Sequence, residues 1–418
     1  MAMHRIAHAS DVPVNPYGGD GRLMEFAAGD VVVVSAAALT DTPFYFYVGE
    51  PGQTPSVAAE PVYFVSEAFF NAVAPDTATP AGRAVLSDAL TGADTSRVGA
   101  KLPAALSALR VDQINFRQGA WVVGGFDFTI TGAEQTGIVL SQYVGGGGAA
   151  AVTLAGNRFT TREHDGTWLR DDADGHLVNI RTGNAQDCRV VNNLFEACKG
   201  SVCVFVGPQS PGSVVERNTF RDCPPKGSNG AEAGHMGFVT SDYWVSSPND
   251  PPVYENLGAI FQQNLLLRYD GESEAVGSKV GHNVIRDNWI VDCAGGISLR
   301  DGEFATVEGN VVVRSRGIRV LGRNHTLTRN TVIHPSAPGP GLYAEAGAAA
   351  ATPSGTPGLL RWVYTVASGL TASGNRVALS PGANLADAVA EIGVGQAFSA
   401  DDGTAHTRTV SAAAATTD

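Results

Sequence analysis

The stretch Gly271-Glu272-Ser273-Glu274-Ala275-Val276-Gly277-Ser278-Lys279 sets two glutamates two residues apart and a lysine five residues after the second. Carboxylates at alternate positions of a strand share a face and suit a hard divalent cation, while an amine beside them suits proton transfer. The same residues also suit a plain surface ion-pair cluster, worth ~0–1 kcal/mol. Scarcity favours chemistry: the chain has four lysines, Lys101, Lys199, Lys226 and Lys279, against 24 arginines. Two of those arginines, Arg300 and Arg319, come next in strand-like surroundings, Gly296-Ile297-Ser298-Leu299-Arg300 and Gly317-Ile318-Arg319-Val320.

A repeat has to position them. Asparagine before an apolar or β-branched pair recurs at Asn157, Asn193, Asn218, Asn264, Asn288, Asn310, Asn330 and Asn375, and four of the seven intervals lie between 20 and 25 residues. That period predicts an all-β fold, a right-handed parallel β-helix whose coils bury their apolar side only by stacking. Asparagine tolerates the left-handed conformation of a repeated turn and can bond to the asparagines above and below. Cys198, Cys223 and Cys293 each follow a ladder asparagine by five residues, which predicts a buried column of small side chains rather than metal ligands. Gly29 to Val34 and Gln118 to Gly132 read as early coils.

The predicted organisation is an N-terminal extension over 1–24, the β-helix over 25–335, and a final coil with a low-complexity tail over 336–418. Residues 62–105 hold two short helical patterns, expected to cap or flank the N-terminal end of the stack. Asp171 to His176 reads as an exposed Asp-Gly turn, since it lacks the full spacing of a calcium loop.

Composition narrows the partners. Fifty glycines and 17% charged residues describe a turn-rich chain. A net charge of −13 disfavours nucleic acid, and no apolar run is long enough for a membrane helix. The acidic body has one basic stripe, residues 279–334, with eight Lys/Arg against five Asp/Glu, which fits an anionic ligand. The N-terminus lacks a signal-peptide pattern. Five cysteines, an odd number, argue against a complete disulfide framework.

Aligned on the ladder asparagines, Glu272, Glu274, Arg300 and Arg319 fall on the outward face of one sheet across three coils, with Lys279 just past the strand at its rim. These residues resemble polysaccharide lyase family six, the β-helical group of alginate lyases and chondroitinase B. The resemblance rests on the Glu272-x-Glu274 strand, Ser278-Lys279, Arg300, and the Gly317-Ile318-Arg319 strand ending in His325, and it spans roughly residues 25–335. It implies β-elimination on a uronic-acid polymer, alginate ahead of a dermatan-type glycosaminoglycan, with Ca²⁺ held by Glu272, Glu274 and an upstream asparagine. Asn229, in Asn229-Gly230-Ala231-Glu232, is the nearest match for that asparagine, with His235 or Asp242 as substitutes. It further implies Lys279 as base, Arg300 as acid, and Arg319 and His325 as substrate-binding residues. Guanidinium gives up its proton reluctantly, so Arg300 is expected to stabilise charge at the leaving oxygen. The family commonly has Arg-His-Gly and Ser-Lys-Ser where this chain has Arg300-Asp301-Gly302 and Ser278-Lys279-Val280. Such a substrate implies a secreted or periplasmic protein.

Other readings compete. A C5-epimerase shares the proton abstraction but needs an acid across the ring, and a glycoside hydrolase needs carboxylates flanking the bond. A non-catalytic β-helical spike that grips a polysaccharide needs neither.

Overall fold

The structure, a computed structural model, describes residues 2–16, 21–40, 43–48, 60–92, 98–117, 119–131, 136–141, 151–162, 165, 168–169, 177–183, 187–207, 210–226, 230–237, 244–245, 256–300, 302–333, 335, 342–344, 352–353, 360–361, 367–378 and 399–401. Three parallel sheets wind around one core. The first runs from Met3–Ile6 to Thr371–Ser373 with 12 strands, the second from Ala38–Leu39 to Ser399–Asp401 with 12, and the third from Arg22–Phe26 to Leu342–Ala344 with 11. This is the parallel β-helix expected from the repeat. No described helix is long and apolar enough to cross a membrane.

The asparagine ladder holds the coils in register. Each side-chain amide donates to the next asparagine's Oδ1, at 3.1 Å for Asn157 to Asn193, 3.0 Å for Asn264 to Asn288 and 2.9 Å for Asn330 to Asn375. The left-handed conformation falls not on these asparagines, as expected, but on the residue before: Asn192, Arg217, Gln263, Asp287 and Arg329 have φ of 55°, 51°, 54°, 55° and 56°. The asparagine is thereby released to turn its amide inward. Asn264→Ala removes the bonds that Asn264 makes to Val215 O and Asn288, and those it receives from Asn218. With those groups orphaned in a dry core, the loss should be about 3–5 kcal/mol in urea unfolding. A loss under about 1 kcal/mol would show that water replaces the ladder.

Aromatic rings stack in a second spine, one per coil: Phe128, Phe159, Phe195 and Phe220 lie 5.1, 4.9 and 4.7 Å apart with planes within 14°. All five cysteines are free and buried. The Cys198 amide donates to Cys223 Sγ at 3.4 Å, the Tyr269 amide to Cys293 Sγ at 3.4 Å and the Cys293 amide to Ser315 Oγ at 3.0 Å, so Cys198, Cys223 and Cys293 stand in one buried column with Tyr269 between the last two. Burial pushes the Cys293 thiol up to about 12, as befits an inert core group.

The first sheet begins before residue 25. Met3–Ile6, assigned to an extension, pairs with Val31–Val34, and Ile6 and Val12 are core residues. The helices are real, α1 Glu67–Val73 and α2 Pro80–Thr91. Of the two expected placements they take the flanking one: Phe69, Leu86 and Leu90 lie against Val65, Val122, Ala155 and Val191 on the outer face of the first sheet. Those outward positions are apolar because the helices cover them. The Asp171 to His176 turn lies outside the described residues.

Candidate active site

Six consecutive strands of the third sheet build the site: β1 Leu177–Gly183, β2 Ser201–Val206, β3 Gly234–Met236, β4 Glu274–Ser278, β5 Gly296–Leu299 and β6 Ile318–Val320. Their register lines up one row of residues, Arg181, Phe205, His235, Gly277, Ser298 and Arg319. Ile297, Leu299, Ile318 and Val320 between them point into the core.

Strand β4 carries one residue more than β5: Glu274 pairs with Gly296 but Val276 with Ile297, leaving Ala275 as a bulge. Ala275 remains matched on the other side, where its carbonyl accepts from the Ala233 amide at 2.9 Å. The bulge turns Glu274 outward three residues before the main-row Gly277, beside Glu232 in the preceding coil. Gly295 and Gly296 make the crowding possible. A Cβ on Gly295 would lie 2.5 Å from Glu272 O, and one on Gly296 would overlap the Gly317 carbonyl.

Three carboxylates converge here. Oxygens of Glu232, Glu272 and Glu274 all lie within 4.8 Å of one another. Glu272 occupies the turn before β4 rather than the strand, and the Gly230 amide donates to its Oε2 at 3.1 Å. Glu232 is fully buried; its Oε1 takes both His235 Nδ1, at 2.9 Å, and Lys279 Nζ, at 3.3 Å. Glu274 Oε1 accepts from Ser298 Oγ at 3.3 Å and Arg319 at 2.9 Å, and Arg300 approaches its Oε2 at 3.8 Å.

One oxygen of each carboxylate is left over: Glu232 Oε2, Glu272 Oε1 and Glu274 Oε2 are buried with no hydrogen-bond partner. Orphaned acceptors of this kind are costly unless a cation serves them. Beneath them Gly277 leaves a hollow, since a Cβ there would meet Glu274 Oε2 at 3.5 Å, Glu232 Oε1 at 3.7 Å and Lys279 Cε at 3.9 Å. The three-oxygen donor set and the hollow fit a hard divalent cation such as Ca²⁺.

The electrostatics agree. Burial, followed by the charges of Glu232 and Glu274, pushes the Glu272 carboxyl up to about 8. Burial acts the same way on Glu232, but the neighbouring His235 and Lys279 outweigh it and hold that carboxyl well below the usual range. Burial lowers His235 despite its glutamate partner; Nδ1 is the donor to Glu232, since a carboxylate only accepts. Its Nε2 is buried without a partner.

The structure therefore brings Glu272, Glu274, Lys279, Arg300 and Arg319 together, as aligned from sequence. Lys279, expected at the sheet's rim, is 6% exposed and bonds to Glu232. Asn229 and Asp242 lie outside the described residues. His325 goes elsewhere. It is fully buried; its Nδ1 accepts from the Ala305 amide at 3.0 Å, and its Nε2 donates to Leu321 O at 2.9 Å. It opens the next strand of the first sheet, Thr326–Thr328, and holds a turn with both nitrogens. A motif strand ending in His suggested substrate contact, but its ring faces the interior.

The sequence pattern points to Asn229, three residues before Glu232, and gives Glu232 no role. The available signal was its place two residues before β3, the strand that pairs directly with the Glu272-x-Glu274 coil.

Residues 253–336 match the family model described as Chondroitinase B, a span that holds Glu272, Glu274, Lys279, Arg300 and Arg319 but not Glu232 or His235. No curated protein sequence matches the chain. Among solved structures, a mannuronic acid specific polysaccharide family 6 lyase from human gut microbiota is 16% identical with a TM-score of 0.50, over 92% of this chain and 76% of that one. A PL6 alginate lyase in complex with a trisaccharide is also 16% identical at a TM-score of 0.50, over 90% and 72%. The PL6 alginate lyase AlyGC gives 16% and 0.52, over 87% of this chain and 52% of its own. At such identity the likeness is one of fold, and together with the family model it bears out the resemblance to polysaccharide lyase family six.

Proposed function

We propose, from that family likeness and the geometry of the site, that the chain is a Ca²⁺-dependent lyase that cleaves a polyuronate, alginate in particular, by β-elimination. One observation carries the reading: three carboxylates converge within 4.8 Å, each with one buried oxygen that has no hydrogen-bond partner, and the amine of Lys279 bonds to one of the three. Alginate is favoured over a dermatan-type polymer because the similar folds include lyases described as acting on alginate and mannuronic acid.

Glu232, Glu272 and Glu274 would hold the ion, with Asn229 offered as a further ligand. Bound there, Ca²⁺ supplies the charge that neutralises the substrate carboxylate and acidifies the proton at C5. Lys279 Nζ, held in place by Glu232, would take that proton as the free amine, the form that positive charge in the metal site favours. The C5–H pair becomes the C4–C5 double bond as the C4–O bond breaks. Arg300 stabilises the negative charge growing on the leaving oxygen, which takes a proton from water. Arg319, bonded to Glu274, fixes that carboxylate rather than facing substrate alone. The product carries an unsaturated uronate at its new non-reducing end. Substrate and product chemistry suit a secreted or periplasmic protein.

Incubation with alginate and with dermatan sulfate, followed by ultraviolet absorption of the unsaturated uronate, tests the reading. Absorption should rise with alginate and calcium, stop with chelator and resume when calcium is restored. Binding of alginate with flat absorption would favour a non-catalytic spike. Flat absorption with hydrogen exchange at C5 would favour an epimerase.

A further inference from the structure

The row that carries the site continues past it toward the N-terminal coils. Phe205 follows His235, with ring centroids 4.9 Å apart, and the Arg181 guanidinium lies 5.4 Å from the Phe205 centroid. Phe205 is itself packed among Val178 and Val202, an apolar patch on the outward face of the sheet. Arg181 is the exposed end of this stack. Among the described residues it has no carboxylate partner, whereas Arg158, Arg189, Arg221 and Arg314 on the other two sheets are all ion-paired.

We propose that Arg181 is an outer subsite that anchors a uronate carboxylate of the polymer, away from the bond being cleaved; this rests on the polyuronate reading above. The planar guanidinium is matched to a carboxylate, and its contact with the Phe205 ring places it in advance, which lowers the ordering cost on binding. Arg181 stands two inter-strand steps, about 10 Å, from His235 in its row. A sugar held there belongs to the same chain as the reacting one but is not the reacting one. The chain of contacts Glu232, His235, Phe205, Arg181 ties this anchor rigidly to the metal-binding carboxylates. An ordinary solvated surface arginine would need none of that support.

The anchor contributes only when the chain is long enough to reach it. Arg181→Ala in the full-length protein should raise KM on long alginate about tenfold with kcat unchanged. KM on the shortest cleavable oligomers should stay as it was. Retardation in alginate-containing gels should fall by a similar factor, and Arg181→Lys, which keeps the charge without the planar fork, should recover part of it. Unchanged KM and retardation would identify a solvated charge only and overturn the proposal, as would an equal rise of KM on long and short substrates. The binding arm separates this claim from the lyase reading. A protein that never cleaves, yet loses retardation in Arg181→Ala, defeats the lyase and leaves the anchor standing; one that cleaves, with Arg181→Ala indistinguishable from wild type, does the reverse.

Discussion

Lys279→Met is expected to lower kcat on alginate about 10³-fold with KM little changed, the scale set by removing a positioned base. Methionine keeps the unbranched stem that fills the space beside Gly277, so packing is retained. Its loss leaves Glu232 with His235 as partner, and the variant should still fold and still gain thermal stability from calcium. Lys279→Arg should be nearly as inactive, because a guanidinium carries charge but cannot accept the proton. Kinetics by ultraviolet absorption, with melting curves in calcium and in chelator, check both points. A variant within tenfold of wild-type kcat would remove Lys279 from the chemistry.

Glu272→Gln should reverse its rank against wild type with the state of the metal site. Without calcium, burial and the two neighbouring carboxylates hold Glu272 at about 8. An acid whose folded value lies above its unfolded one, about 4.3, favours the folded state at low pH. That advantage is lost as pH rises from the unfolded value through about 8, where the folded chain must give up a proton amid like charge. Glutamine is spared this loss, so in chelator at pH 8.5 the variant should melt higher than wild type. With calcium the order should invert, because the variant lacks one charged ligand and should bind about 10²-fold more weakly. Calorimetric titration adds a second sign: calcium binding to wild type at pH 7 should release a proton that the variant does not release. Equal calcium stabilisation of both proteins would exclude Glu272 as a ligand.

The stack was legible because it repeats. Every ladder asparagine from Asn157 to Asn375 occupies the position read from spacing, since one geometric need recurs in each coil. The strand faces at Ile297, Leu299, Ile318 and Val320 followed from alternation for the same reason. What spacing could not show was contact across coils with irregular insertions. Glu232 and Glu274 are 42 residues apart, separated by a long excursion between β3 and β4, so no period relates them. His325 misled for the opposite reason: its motif was local and regular, but the strand it introduces belongs to a different sheet. The outward apolar residues under α1 and α2 likewise made sense only once the helices lay on them.

The extra residue at Ala275 acts as a dislocation in an otherwise periodic solid. On one side the strands β3 and β4 share the added position; from β5 onward the lattice continues without it. Such a defect cannot be smoothed out locally, because healing it would slide every coil on one side of the site past those on the other. That makes the position a poor one for gradual drift and a good one for holding an uncomfortable cluster of like charges. The ordered coils on both sides absorb the misfit, and the carboxylates gather at the step where the two lattices fail to match.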